Sequence, residues 1–170
     1  MIAIRNAKPE EHAQIGQLMV DVYSKLEGFP KPAEQPQYYN LLANVGDLTK
    51  KPETEILVAV DDDMIVGALV FFGDMQSYGS GGSATKETNA SGFRLLAVAD
   101  DARGKGVGKL LTMACINKAK SKGHKQLIIH TTKAMQRAWS MYEKIGFKRS
   151  SDLDFMQGKL EVFGFRFQIV

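Results

Sequence analysis

Residues 92–115, G-F-R-L-L-A-V-A-D-D-A-R-G-K-G-V-G-K-L-L-T-M-A-C, constrain the chain more than any other stretch. An apolar strand over residues 93–98 runs into a turn that carries Gly104, Gly106 and Gly108. A helix follows, with Val107, Leu110, Leu111, Ala114 and Cys115 at i, i+3, i+4, i+7 and i+8. The first N–H groups of a helix have no partner inside it, and the helix dipole favours negative charge there. Glycine removes the Cβ that would hold a phosphate away from the backbone. With Lys105 and Lys109 adding positive charge, the stretch reads as a cradle for a phosphate-bearing ligand.

Spacing removes two ligands. The ATP-binding pattern G-x-x-x-x-G-K-[ST] would need glycine where Arg103 stands and a hydroxyl where Leu110 stands. The dinucleotide pattern would need a third glycine at Lys109. The bulk of the chain excludes further classes. A net charge of +3 is too small to argue for nucleic acid, and the basic run 118–125 sits where it complements the helix C-terminus. One cysteine, on the apolar helix stripe, allows no internal disulfide. His12, His124 and His130 lack metal-ligand spacing, so no metal is expected. The longest apolar run, 65–72, is interrupted by Gly67 and falls far short of the ~20 residues that span a membrane. The N-terminus lacks the apolar core of a signal peptide, so a cytoplasmic location is the expectation. A length of 170 residues suits one domain over 1–170.

The element order reads β-α-α-β-β-β-α-β-α-β-β. Residues 2–5 form a first strand. Ile15, Leu18, Met19, Val22, Tyr23 and Leu26 mark a helix, and Tyr38, Leu41, Leu42 and Val45 mark a second. Residues 55–60 and 64–72 form a hairpin across Asp61-Asp62-Asp63. Residues 73–92, rich in Gly, Ser and Thr, show no periodicity and read as mobile, functional or both. A buried strand over 126–131, a helix ended by Gly146 and two final strands complete the chain. The fold class is α/β (α+β): one mixed sheet of about seven strands flanked by about four helices. The last strand, 160–170, alternates Phe163, Phe165, Phe167 and Ile169 with polar residues, and would let the chain form a homodimer by adding to a partner's sheet.

Arg103, Gly106 and Gly108 fit an R-x-x-G-x-G pattern, and residues 138–147 fit A-x-x-x-Y-E-K-x-G-F. Together with the element order, these two motifs resemble the GNAT superfamily of N-acyltransferases along nearly the whole chain. Asp100 stands where the family often has proline, and Met135 where it often has asparagine.

The resemblance implies an acetyl-CoA-dependent N-acetyltransferase. It implies that the pyrophosphate of acetyl-CoA lies on the amides of Arg103, Gly104, Lys105, Gly106, Val107, Gly108 and Lys109. The pantetheine arm would run along Leu96, Ala97 and Val98, between two splayed parallel strands, and pass Met135. Backbone N–H near Val98 would stabilise the oxyanion, and Tyr142 would protonate the leaving thiolate. An alternative for Tyr142 is plain core packing, and for Arg103 a surface pairing with Asp100 or Asp101.

The acceptor is expected to be a primary amine of a small molecule. A lysine-like amine is ~3 pKa units from neutrality at pH 7, a penalty of about 4–5 kcal/mol, so a base would help. Glu87, Asp154 and His130 are the candidates. Arg94, in the central strand, alternates onto the side of Leu96 and Val98. There it either pairs with Asp152 or Asp154, the preferred reading because a buried charge is costly alone, or meets an anionic part of the substrate. Tyr23, Tyr38 and Glu87 are further candidates for acceptor contacts. Two other functions stay open: a non-catalytic acyl-CoA sensor, and a protein lysine or N-terminal acetyltransferase.

Overall fold

A computed structural model describes all residues, 1–170. Eight strands and four α-helices form it: β1 (Ile2–Asn6), α1 (His12–Ser24), α2 (Pro36–Ala43), β2 (Thr54–Asp61), β3 (Met64–Phe72), β4 (Ala90–Val98), α3 (Val107–Ser121), β5 (Gln126–Thr131), α4 (Gln136–Ile145), β6 (Lys148–Arg149), β7 (Phe155–Gln157) and β8 (Leu160–Gln168). The sheet order is β1-β2-β3-β4-β5-β8-β6, with β7 also on β8. Every neighbouring pair is antiparallel except β4 and β5.

The alternation of the strands sorts the core into two layers. From β2, Ile56 and Val58 pack toward α1 and α2, beside Ile15, Met19 and Leu42. Leu57 and Ala59 pack the other way, toward Leu111 and Cys115 of α3 and Tyr142 of α4. The β2–β3 turn places Asp62 and Asp63 at φ 49° and 64°, the left-handed pair that a two-residue hairpin turn needs.

Two features of β4 position everything that follows. It pairs with β5 only from Ala90 to Gly92, opposite Gln126 to Ile128, and beyond that the two strands part. Its pairing with β3 also slips, because Leu95 and Leu96 together face Leu69. Leu95 takes up the extra residue at φ 64°. This is a β-bulge, and it reverses the side-chain alternation of the strand.

Residues 73–92 are a packed segment, not the unstructured insert that composition suggests. They contain two short 3-10 turns, and β4 already starts at Ala90. Tyr78 and Ala84 are fully buried, and Met75 and Ser77 nearly so. Strand β8 is not an open edge either. It is flanked by β5 on one side and by β6 and β7 on the other, so addition of a partner strand along 160–168 is blocked. No helix is long and apolar enough to cross a membrane.

Candidate functional site

The gap between the parted strands opens into a cavity of about 570 Å³ that runs from the glycine turn to the α1–α2 connection. One end is made of backbone. Gly104 and Gly106 both sit at φ 81°, and a Cβ on either would meet nothing within 4 Å. Glycine is thus required there for its left-handed conformation and for open access, not for tight packing. Gly106 caps α3 with no side-chain hydrogen bond, and the first helical bond is Leu110 N–H to Gly106 C=O. The amides of Val107, Gly108 and Lys109 precede that bond and stay free for an anion. Arg103 lines this end and also reaches Asp100 at 3.1 Å, so the surface pairing and the cavity position coexist. Lys105 is exposed and lies outside the cavity lining, while Lys109 is on it. A shallow groove between α3 and α4, bearing Lys109, Arg137 and Lys144, continues from this end.

The middle of the cavity is walled by Leu96 and Val98 on one side and by Thr131, Thr132 and Met135 on the other. Ala97 turns away into the α1–α2 layer, so only its backbone can serve a bound arm. Thr132 Oγ1 is the one occluded side-chain polar atom without a hydrogen-bond partner. Sequence reasoning missed it; its signal is a hydroxyl directly after a buried strand that ends at a ligand gap. Tyr142 is buried against Phe93 and Phe147, with ring centroids 6.0 and 5.6 Å away. Its ring is core, yet it also lines the cavity, and its hydroxyl is not among the occluded orphans. Burial pushes this phenol well above its ordinary pKa, which keeps its proton on.

The other end is made of side chains. Tyr23, Phe29 and Tyr38 stack with centroids 5.4 to 6.2 Å apart. The Tyr23 hydroxyl donates to Leu96 C=O at 2.8 Å, so Tyr23 braces the bulged strand as well as lining the cavity. Burial raises Tyr38 to about 12. Phe155 closes the far wall, 5.1 Å from the His130 ring. Beside the cavity, which Gln157 lines, Gln157 Nε2 donates to Gln35 Oε1 at 2.6 Å. Gln35 Nε2 returns a long bond to Gln157 C=O at 3.4 Å. This clasp ties the α1–α2 connection to the β7–β8 hairpin.

None of the three proposed bases is free to act. Glu87 is ion-paired with Arg166 and lies outside this cavity. Its place in the acceptor site is therefore corrected, since the pairing with Arg166 of β8 holds it away from the cavity lining. Asp154 is held by Arg149 at 2.8 Å and by Gly164 N–H at 2.7 Å, and these partners keep its pKa low. His130 does line the cavity, but both ring nitrogens are engaged. Nε2 faces Leu153 C=O at 2.8 Å, which can only accept. Nδ1 is thereby left to accept from the Tyr78 hydroxyl at 2.9 Å. Burial lowers its pKa to about 4, so at neutral pH it is an uncharged strut.

Arg94 also departs from expectation. The Leu95 bulge turns it onto the α1–α2 side, together with Leu95 and away from Leu96 and Val98. Neither expected partner reaches it: Asp152 pairs with Arg166 and Asp154 with Arg149. Arg94 Nη1 instead donates to Tyr78 C=O at 3.0 Å, with the guanidinium 5.9 Å from the Tyr78 ring. The cavity lining contains no aspartate or glutamate at all. No cluster of three or more His, Cys, Asp or Glu side chains is arranged to hold a metal.

The sequence model of the Acetyltransferase (GNAT) family matches residues 5–147. A curated relative, N-alpha-acetyltransferase 30 of Schizosaccharomyces pombe, is 29% identical over 93 residues, 54% of this chain. The match covers only 56% of that relative's own length. Among solved structures, a GNAT-family acetyltransferase from Staphylococcus aureus Mu50 superposes with a TM-score of 0.76 over 100% of both chains, at 15% identity. A Salmonella typhimurium protein crystallised with its cofactor acetyl-CoA superposes with a TM-score of 0.68, at 15% identity, over 99% of this chain and 94% of that one. At such identities these structures establish the likeness of the fold.

Proposed function

Because the chain belongs to the GNAT family of acetyltransferases, we propose that it transfers an acetyl group from acetyl-CoA to the primary amine of a small molecule, by direct attack with both substrates bound. One observation carries this reading. A single cavity joins an uncapped, glycine-lined helix start to a pocket walled by Tyr23, Tyr38, His130 and Phe155, and Tyr142 lies on its wall. The cradle suits acetyl-CoA: Arg103 to Lys109 would hold the pyrophosphate, and Lys109, Arg137 and Lys144 would face the nucleotide end. Leu96 and Val98 would flank the pantetheine arm on one side, and Thr132 and Met135 on the other. Acetyl-CoA supplies an activated thioester. The chain's own part is to fix that thioester, exclude water and return a proton to sulfur. Tyr142, kept protonated by burial, is suited to the last task.

A second reading, acetylation of protein N-termini, is favoured by the curated relative. The Gln35–Gln157 clasp weighs against it, because it ties the α1–α2 connection to the β7–β8 hairpin beside the cavity and so narrows the room for a peptide at this end. Release of CoA thiol from acetyl-CoA, measured with panels of small amines and of short peptides, separates the two readings. Tyr142→Phe is expected to lower kcat about 10- to 100-fold while acetyl-CoA affinity stays within a factor of about two. Undiminished turnover in that variant would remove Tyr142 from the chemistry. Acetyl-CoA binding with no turnover of any amine would make the protein a non-catalytic acyl-CoA binder.

A further inference from the structure

The acceptor end of the cavity holds one permanent charge, and that charge has no counter-ion. Arg94 spends a single N–H on Tyr78 C=O; the rest of its planar donor fork has no carboxylate to meet. An arginine left unpaired in a part-buried site is costly unless a ligand completes it. The walls around it are Tyr38, His130 and Phe155, all uncharged at neutral pH. Nothing there would hold a second ammonium group, so a polyamine or an aminoglycoside has no partner for its extra positive charges. We propose that Arg94 is a carboxylate clamp, and that the acceptor is an α-amino acid whose apolar or aromatic side chain lies against Tyr38 and Phe155. This rests on the acetyl-transfer reading above and narrows it.

The absence of a base points the same way. With Glu87 and Asp154 committed elsewhere and His130 engaged at both nitrogens, the site has no side chain ready to take a proton from an ammonium ion. A lysine-like amine is neutral in only about 1 molecule in 2,500 at pH 7, whereas a peptide-like α-amine is neutral in roughly 1 in 10. A free amino acid departs from the second figure because its own carboxylate stabilises the ammonium form. Pairing with a guanidinium cancels that stabilisation. The contact that binds the acceptor therefore also helps it to lose its proton.

The test compares matched acceptors on purified protein with acetyl-CoA, following thiol release and the acetylated product. For the hydrophobic amino acids, the free acid is set beside its carboxamide, its decarboxylated amine and a dipeptide that begins with the same residue. The free acid is expected to exceed the other three by about 100-fold in kcat/KM, mostly through KM. Arg94→Met should shrink this preference to below about fivefold, and Arg94→Lys should restore part of it. The wild-type comparison stands even if Arg94→Met proves unstable. Equal or better use of the carboxamides, amines or dipeptides would overturn the clamp and leave acetyl transfer to amines intact. No turnover of any amine by the wild type would overturn both.

Discussion

The two ends of the cavity are built from different materials. The cofactor end is backbone: glycines at φ 81° and helical amides that no side chain caps. The acceptor end is side chain: Arg94, Tyr38, His130 and Phe155, gathered from three strands and a helix. A backbone site depends on a short run of consecutive residues and so keeps its shape when the surroundings change. A side-chain site depends on how distant segments meet, and it is where relatives that share a cofactor can differ in what they acetylate.

The contrast can be broken most sharply at Gly106. Proline there cannot adopt φ 81° and should tilt the start of α3, costing acetyl-CoA about a thousandfold in affinity, or ~4 kcal/mol. Isothermal titration measures the loss, and circular dichroism should show an intact fold. Retained affinity would mean that the phosphate is held elsewhere.

The acceptor end should be the acid-sensitive one. Folded His130 takes up its proton near pH 4, but the unfolded chain does so near 6.5. Its contribution is therefore full above pH 6.5 and is lost as pH falls to 4, about 3 kcal/mol in all. Thermal melts across that window should show the loss, and His130→Gln should flatten it. An unchanged pH profile in the variant would place the acid sensitivity elsewhere.

The smallest effect is expected where the two ends meet. Thr132→Val removes an occluded, unpartnered hydroxyl, so the free protein should gain about 1 kcal/mol. If the hydroxyl serves the cofactor arm, acetyl-CoA should bind three- to tenfold more weakly. A variant with higher Tm and lower affinity is the expected pair of results. Unchanged affinity would assign the hydroxyl no part in binding.

The same contrast explains what could be read from the sequence. The cradle was legible because its spacing, Arg103 to Gly108, is local, and helix periodicity located α1, α3 and α4. Of the sheet's neighbours, the β2–β3 hairpin was legible from its turn and the parallel β4–β5 pair only through the family resemblance; the place of β8 between β5 and β6 was not. Arg94 was misplaced because simple alternation assumes two residues per repeat, and one residue with a left-handed φ breaks it. Nothing in the composition of Leu95, a β-compatible residue, announces such a conformation. Glu87 and Asp154 looked available because their arginine partners lie 79 and 5 positions away, on strands whose pairing periodicity does not reveal. Tyr78 was passed over inside a segment poor in apolar residues, although it is fully buried and holds both Arg94 and His130.

The bulge at Leu95 has a consequence for chain length. Most surface connections accept an added or lost residue at little cost, since the chain on either side keeps its phase. Removing Leu95 would likewise keep the phase: Arg94 would still face Val70, Ala97 would still face Ala68, and Leu96 alone would stand opposite Leu69. The strand would pair regularly with β3, and Arg94 would stay on the α1–α2 side. The bulge is thus a place on this strand where a residue can be lost without turning its neighbours over. Among natural variants, a deletion here should be tolerated better than one elsewhere along the strand.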